Sequence, residues 1–323
     1  MSKNSRPRRG SLQFWPRKRA TRLLGSVNWK ALPVSSEKPG FLGFIVYKVG
    51  MASCFVKDNT EHSLTKGGKI AIPSTILEAP PVKIFAVRFY KHHQPIKDVI
   101  VGTDKELKKI LRLPKKTEKD LNKAIDKIKD YDDIRVIIYS LVSRTNIKKT
   151  PDIIEVALSG KKEEKLEIIK KFLNKEISIT DVAESFLDNL VDVRGVTKGH
   201  GFQGPVKRFG IKLREHKSEK GMRKVGSIGP WHPARLTFRV PMAGQTGFFT
   251  RVSYNNKIIH MGKSSEKRSN PKAGWKQYGK IKTEYIVLRG SVQGPAKRPL
   301  LLTRALRPTR KQLKKNYEFI ELR

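Results

Sequence analysis

Residues 194–210, RGVTKGHGFQGPVKRFG, combine five glycines with Lys198, His200, Lys207 and Arg208. Glycine lets a backbone come close to a ligand, and cationic side chains suit phosphate oxygens. The chemistry implied is contact with phosphates. Nucleotide triphosphate binding fits poorly, because the G-x-x-x-x-G-K-[ST] spacing is absent: Gly199 is followed by His200 and Gly201. A dinucleotide fingerprint fits no better, since no helical pattern follows. A flexible turn is the plainer alternative.

A second stretch, GSIGPWHPARLTFRV (226–240), sets Trp231 between Pro230 and Pro233. The prolines fix their own backbones and push Gly229 and His232 towards extended conformations, making a stiff bend or rod. Its ends run to Arg223, Lys224, Arg235 and Arg239. Two readings of Trp231 stand: packing into a core, the usual fate of tryptophan, and stacking on unpaired RNA bases. Four basic neighbours and the missing acids favour RNA modestly.

Other chemistry lacks its residues. No Asp or Glu lies between Glu219 and Glu266, which removes carboxylate dyads and carboxylate metal ligands from the most distinctive part of the chain. His92-His93 is the only adjacent pair among seven histidines. It has no H-x-x-x-H or H-E-x-x-H partner, so a surface position is expected rather than zinc. Cys54 is the single cysteine, which rules out internal disulfides and cysteine-cluster metal sites. No nucleophile-elbow motif accompanies the serines. The expectation is therefore no catalytic residue, no metal, no cofactor and no small-molecule substrate.

The charge balance names the class of partner. A compact chain with a net charge of +40 repels itself, so a polyanion is expected, nucleic acid first and an anionic membrane surface second. No apolar run reaches the length of a membrane span. The opening MSKNSRPRRGSLQFWPRKRA has no secretory core, and Pro7 and Pro16 oppose the amphipathic helix of a transit peptide. The chain reads as cytosolic.

Charge also divides the chain. Residues 1–102 carry 18 Lys and Arg against 5 Asp and Glu, residues 103–194 carry 21 against 18, and residues 195–323 carry 30 against 6. The flanking thirds should bind the polyanion, and the near-neutral middle should be an ordinary solvated segment. FLGFIVYKVGMASCFV (41–56) and VKIFAVRFY (82–90) suit buried strands, with Gly67-Gly68 and Pro80-Pro81 as punctuation between them. The middle third predicts a helix in TDKELKKILRL, capped by Thr103 or Asp104. A second lies in KKEEKLEIIKKFL, with Leu166, Ile169 and Leu173 on one face. A third is expected in ITDVAESFL, where Asp181 and Glu184 have capping-box spacing. IRVIIYSLV and IIEVALS read as strands between them. After Gly195 the helical pattern stops. FFTRVSYNNKIIHMG (248–262) suggests a hairpin turning at Asn255-Asn256, and TEYIVLRGSV and RPLLLTRAL supply two more strands. Short strands bracketing a helical stretch imply a barrel or sandwich with an α/β insertion.

These residues carry a resemblance. PRRGSLQFWPRKRA, RGVTKGHGFQGPVKRFG, GMRKVGSIGPWHPARLTFRVPMAGQTGFFTRVSYNNKI and GSVQGPAKRPLLLTRALRP occur in order over nearly the whole chain. Together they resemble the universal large-subunit ribosomal protein family number three, in its archaeal form. The resemblance implies an α+β fold: a six-stranded translation-protein-type β-barrel with an inserted α/β lobe and long basic extensions. It divides the chain into a basic N-terminal extension (1–40), the first part of the barrel (41–102) and a near-neutral α/β insertion whose edges rejoin the barrel (103–194). There follow barrel strands with a long basic loop (195–280), then barrel-closing strands and a basic C-terminal segment (281–323).

The family's RNA-entering arms map here to Arg6, Arg8, Arg9, Arg17, Lys18 and Arg19 near the start, and to the loop at roughly 197–280. Trp231 stands where the family's loop tip approaches the peptidyl transferase centre. The implied function is a structural constituent of the large ribosomal subunit that binds and orders ribosomal RNA and supports early assembly. Its partners are that RNA and neighbouring ribosomal proteins, with no membrane, in the cytoplasmic ribosome. Two alternatives are an RNA-modifying enzyme with a barrel-type RNA-binding domain and a chromatin-type DNA-binding protein. The first needs a cofactor loop or catalytic constellation, and the second predicts indifferent binding to duplex DNA.

Overall fold

The aromatic and β-branched runs fold as strands, and the computed structural model, which describes residues 9–32, 39–114, 128, 130–186, 190–265 and 270–323, is mostly β. β1 (Gly40–Phe41), β2 (Gly43–Asp58), β3 (Lys69–Ala79), β4 (Val82–Lys91) and β5 (Gln94–Ile100) come first. β6 (Asp133–Ser140) and β7 (Ile153–Ser159) precede helices α1 (Lys162–Phe172) and α2 (Ile179–Phe186). Then follow β8 (Leu190–Val196), β9 (Gly199–Gln203), the short α3 (Pro205–Phe209), β10 (Gly244–Gly247) and β11 (Thr250–Lys263). The chain ends through β12 (Glu284–Arg289), β13 (Pro299–Arg304), α4 (Arg310–Leu313) and β14 (Tyr317–Leu322). The chain is thus mostly β with few helices.

Six strands form a closed hydrogen-bonded ring in the order β13-β8-β11-β12-β3-β2, with β2 pairing back onto β13. Closure removes the unpaired edges that an open sheet would expose. β14 is added outside the ring on β2, with Tyr317 opposite Asp58 and Leu322 opposite Cys54. The run EYIVLR is apolar on both faces for a reason. Ile286 and Leu288 enter the main hydrophobic core, while Tyr285 and Val287 enter a second core with Val49, Cys54 and Ile76. Each face of β12 is therefore covered, as continuous apolar strands require.

A five-stranded sheet, β1-β7-β6-β4-β5, holds the remaining long strands. β4 and β5 pair with each other and β4 pairs with β6, so after Ala79 the chain leaves the ring for this sheet. Ile169 of α1 and Ile179 and Val182 of α2 bury against the same core as Ile134, Val136 and Ile138 of β6. The expected α1 face is present, with Ile169 fully buried and Leu166 and Leu173 packed beside it. Two compact units result: Leu23–Gly195 with Arg251–Arg323, and Met1–Arg22 with Val196–Thr250.

Local expectations fail at four places. Asn255 does take the left-handed conformation (φ +55°), but it kinks one continuous strand, β11, instead of reversing it. Its N–H donates to Asp192 Oδ1 at 2.8 Å, which uses the backbone group that a kink frees. The helix expected from Thr103 shrinks to a single 3-10 turn at Leu107–Lys109. Asp104 is drawn away from capping because its Oδ2 accepts from Tyr139 Oη at 2.6 Å and from Lys83 Nζ at 3.1 Å. The cap of α2 lies one turn earlier than Asp181 and Glu184 suggest, since the Ser178 N–H donates to Asp181 Oδ2 at 2.9 Å. Helices also continue past Gly195, as the short α3 and α4.

Candidate nucleic-acid interface

The smaller unit carries 19 Lys and Arg against two carboxylates, Glu215 and Glu219. It has almost no core. Among the described residues, Val196 and Phe209 are the only large hydrophobics it buries, while Phe202, Ile228, Trp231, Leu236 and Phe238 are exposed. Exposed apolar groups inside a strongly cationic segment mark a surface shaped for a partner.

Its frame is a two-stranded antiparallel ribbon, with Gly199 opposite Gly247 and Gln203 opposite Gly244. Gly247 sits at φ +69°, and a Cβ there would lie 2.0 Å from the Lys198 carbonyl oxygen. That carbonyl accepts from the Phe248 N–H at 3.0 Å, so the ribbon closes only around glycine. Beyond the ribbon, Pro205 opens α3 and the left-handed Gly210 ends it, its N–H donating to Val206 O at 2.8 Å. The RGVTKGHGFQGPVKRFG stretch is therefore an ordered ribbon and helix, which corrects the flexible-turn alternative. Proline at the first helical position and glycine just past the end were a readable helix signal.

Two of the expected phosphate ligands turn inward. Arg17 Nη1 donates to the Arg208 carbonyl oxygen at 2.7 Å, and its guanidinium lies 4.1 Å from the centroid of the Phe209 ring. Arg208 donates through Nε to Gln245 O and through Nη1 to Met242 O, each at 2.9 Å. These contacts tie the N-terminal segment, α3 and β10 together. Burial lowers the Arg208 guanidinium below the ordinary arginine value, yet arginine stays charged at any physiological pH. The Ala20 N–H adds a bond to Phe248 O at 2.9 Å. Trp15 lies in a tilted arrangement between Phe209 at 6.5 Å and Phe238 at 5.8 Å.

The remaining expected ligands face outward. Arg9, Lys18, Arg19, Lys198, His200 and Lys207 are exposed, as are Arg223, Lys224, His232, Arg235 and Arg239. Arg6 and Arg8 lie outside the described residues. Trp231 is 87% exposed, so it is not a core residue of this chain. It lines an open concavity with Ile228, Pro230, Pro233, Arg235 and Leu236. A broad ring, stiff prolines and a guanidinium around one hollow can stack on a base and hold its phosphate.

Among the described residues no cluster of His, Cys, Asp or Glu could hold a metal, and no helix is long and apolar enough to cross a membrane. His92 and His93 are the exposed central pair of the β4–β5 hairpin, at φ +47° and +70°.

The family model of ribosomal protein L3 matches residues 1–323. The chain belongs to the ribosomal protein L3 family. Curated archaeal relatives agree over nearly their whole lengths. The large ribosomal subunit protein uL3 of Methanocaldococcus jannaschii is 42% identical, covering 94% of this chain and 92% of the relative. The uL3 proteins of Methanococcoides burtonii and Methanothermobacter thermautotrophicus are 38% and 39% identical, each over 97% of this chain and 95% of the relative. Membership in the L3 family makes this a non-enzymatic structural protein and removes the RNA-modifying enzyme reading. Within this L3 chain, sequence reasoning missed Trp15, Phe238 and Gly247. Trp15 and Phe238 were readable as aromatics in acid-free segments, but their contact joins residues far apart in the chain.

Proposed function

We propose that this L3-family protein is a structural constituent of the large ribosomal subunit that binds and orders ribosomal RNA in the cytoplasmic ribosome. Family membership supports the ribosomal role. The six-strand ring acts as a translation-type β-barrel, and the chain carries two basic arms, residues 1–40 and the loop within 195–280. The arms enter RNA: exposed Lys and Arg neutralise phosphates and release counterions, while carboxylates are excluded because they would be repelled and costly to desolvate. Trp231 and its flanks steady RNA near the peptidyl transferase centre, and the protein supports early assembly of the subunit. The near-neutral 103–194 lobe makes little RNA contact and is free to face solvent or a neighbouring ribosomal protein.

The observation that carries this reading is the exposure of Trp231 on an acid-free, proline-stiffened tip. Crosslinking in cells, followed by sequencing of the attached RNA, tests it. Peptides from 195–280 should crosslink to large-subunit RNA near the peptidyl transferase region. Crosslinks scattered over messenger RNA, transfer RNA or DNA would overturn it.

A further inference from the structure

The chain holds a further acid-free run near its C-terminal end. From Tyr285 to Tyr317 there are nine Lys and Arg and no Asp or Glu. Unlike the 220–265 stretch, this run lies wholly in the larger, well-packed unit. Folding gathers part of it at one place. Arg289 at the end of β12 donates through Nη1 to Gln312 Oε1 of α4 at 3.4 Å. Its guanidinium also lies 5.7 Å from the Tyr317 ring centroid. These contacts hold Arg289 beside the cations of α4 and the residues that follow it. Arg307, Arg310, Lys311 and Lys314 are exposed there, and Lys315 is half-buried.

The cations feel one another. Burial first, then the charges of Arg289 and Lys311, lower the Lys315 ammonium from its ordinary value. Asp58 opposes this weakly, and its carboxylate is already engaged. It accepts from the Thr60 N–H at 3.0 Å, Ser63 Oγ at 2.8 Å and Thr65 Oγ1 at 2.7 Å. The carboxylates of β14 also have partners, Glu318 with Asn59 Nδ2 at 3.3 Å and Glu321 with Lys69 Nζ at 3.2 Å. Arg310 and Lys314, four residues apart at the two ends of α4, are like charges that destabilise an isolated helix. A bound polyanion would reverse the sign of that effect.

We propose that Arg289, Lys311 and Lys315, with Arg310 and Lys314 at the rim, form a second docking surface for the sugar-phosphate backbone of large-subunit ribosomal RNA, preformed in the larger unit. Closely grouped cations suit a polyanion with regularly spaced charges better than a protein partner, whose interface would centre on apolar anchors. The inference rests on the RNA-binding reading above but not on its basic loop.

The test measures binding of the full-length protein to a transcript of large-subunit ribosomal RNA across a salt series. Each lost phosphate contact should flatten the slope of log K against log salt by about 0.7 to 0.9. The triple variant Arg289→Gln, Lys311→Gln, Lys315→Gln should therefore lower the slope by about 2 and weaken binding roughly tenfold or more at about 0.1 M salt. Because Arg289 has structural contacts, the variant Arg310→Gln, Lys311→Gln, Lys314→Gln, which changes only exposed side chains, gives an independent measure and should lower the slope by about 2 as well. A parallel variant, Arg223→Gln, Lys224→Gln, Arg235→Gln, Arg239→Gln, tests the loop. Unchanged slopes in both C-terminal variants, with a reduced slope in the loop variant, would overturn the second surface and leave the loop reading standing. The reverse pattern would overturn the loop reading alone.

Discussion

The five-stranded sheet and the basic unit handle charge in opposite ways. On the sheet, Arg88 and Arg135 stand directly opposite one another on β4 and β6, which on its own would repel. Glu155 resolves it, accepting from Arg88 at 3.0 Å and Arg135 at 2.9 Å, while Asp98 clamps Arg88 with two bonds of 2.7 Å. The acid-rich stretch that follows residue 129 is absorbed the same way: Asp130 pairs with Lys91, and Asp133 with Lys165 at 2.7 Å. The basic unit has Glu215 and Glu219 for 19 cations, and it uses Arg17 and Arg208 to hold backbone carbonyls. The sheet is electrostatically complete within the chain. In the function proposed above a polyanion completes the basic unit, whereas the sheet needs none.

Several variants can break or sharpen this contrast. The largest effect is expected from the loop variant Arg223→Gln, Lys224→Gln, Arg235→Gln, Arg239→Gln. It should weaken ribosomal RNA binding about 100-fold near 0.1 M salt, while thermal melting of the protein stays unchanged. A lowered melting temperature would show that these cations serve the fold. Next, Glu155→Gln should cost about 2 kcal/mol in urea denaturation, less than a fully buried pair because the cluster is partly solvated. RNA affinity should not change, and a loss of affinity would place RNA on the sheet. Gly247→Ala forces a Cβ against the Lys198 carbonyl. It should open the β9–β10 ribbon at a local cost of about 1–3 kcal/mol, visible as faster amide exchange at Phe248 with the ring unaffected.

Trp231→Ala should move folding stability by less than about 0.5 kcal/mol, as for other exposed positions, while altering transfer RNA binding or peptide transfer in reconstituted subunits. An unfolded ring with normal translation would instead make Trp231 a structural residue. Smallest of all is the response of Cys54, whose thiol burial pushes up to about 11. Thiolate is the reactive form, so folded protein should resist alkylation at neutral pH and gain reactivity only as the pH approaches that value. Ready labelling at pH 7 would mean that the second core opens easily.

Much of this contrast was legible in the sequence, because net charge per segment and runs without acids survive any fold. The strands of β2, β4, β6, β7, β12 and β13 were legible too, since apolar β-branched runs bury whatever their order. Pairing was not. Nothing local says that β4 and β5 join β6 rather than the ring, or that Asn255 bends a strand whose kink Asp192 accommodates. The roles of Arg17 and Arg208 were hidden for the same reason: the Arg17 bond to the Arg208 carbonyl spans 191 residues. A lysine or arginine that grips a carbonyl reads in sequence just like one that waits for phosphate. The basic character of the C-terminal segment was legible, but its grouping around Arg289 was not, because the Arg289 contact with Gln312 joins β12 to α4.

The central claim is that the larger unit folds on the strength of its own contacts and the basic unit is completed by RNA. Limited proteolysis of the protein, free and within the large subunit, tests it most directly. The account predicts early cleavage within about residues 211–243 in the free protein, with the ring resistant, and protection of that segment in the subunit. Equal resistance of the segment in both states would show that it holds itself together, contradicting the account.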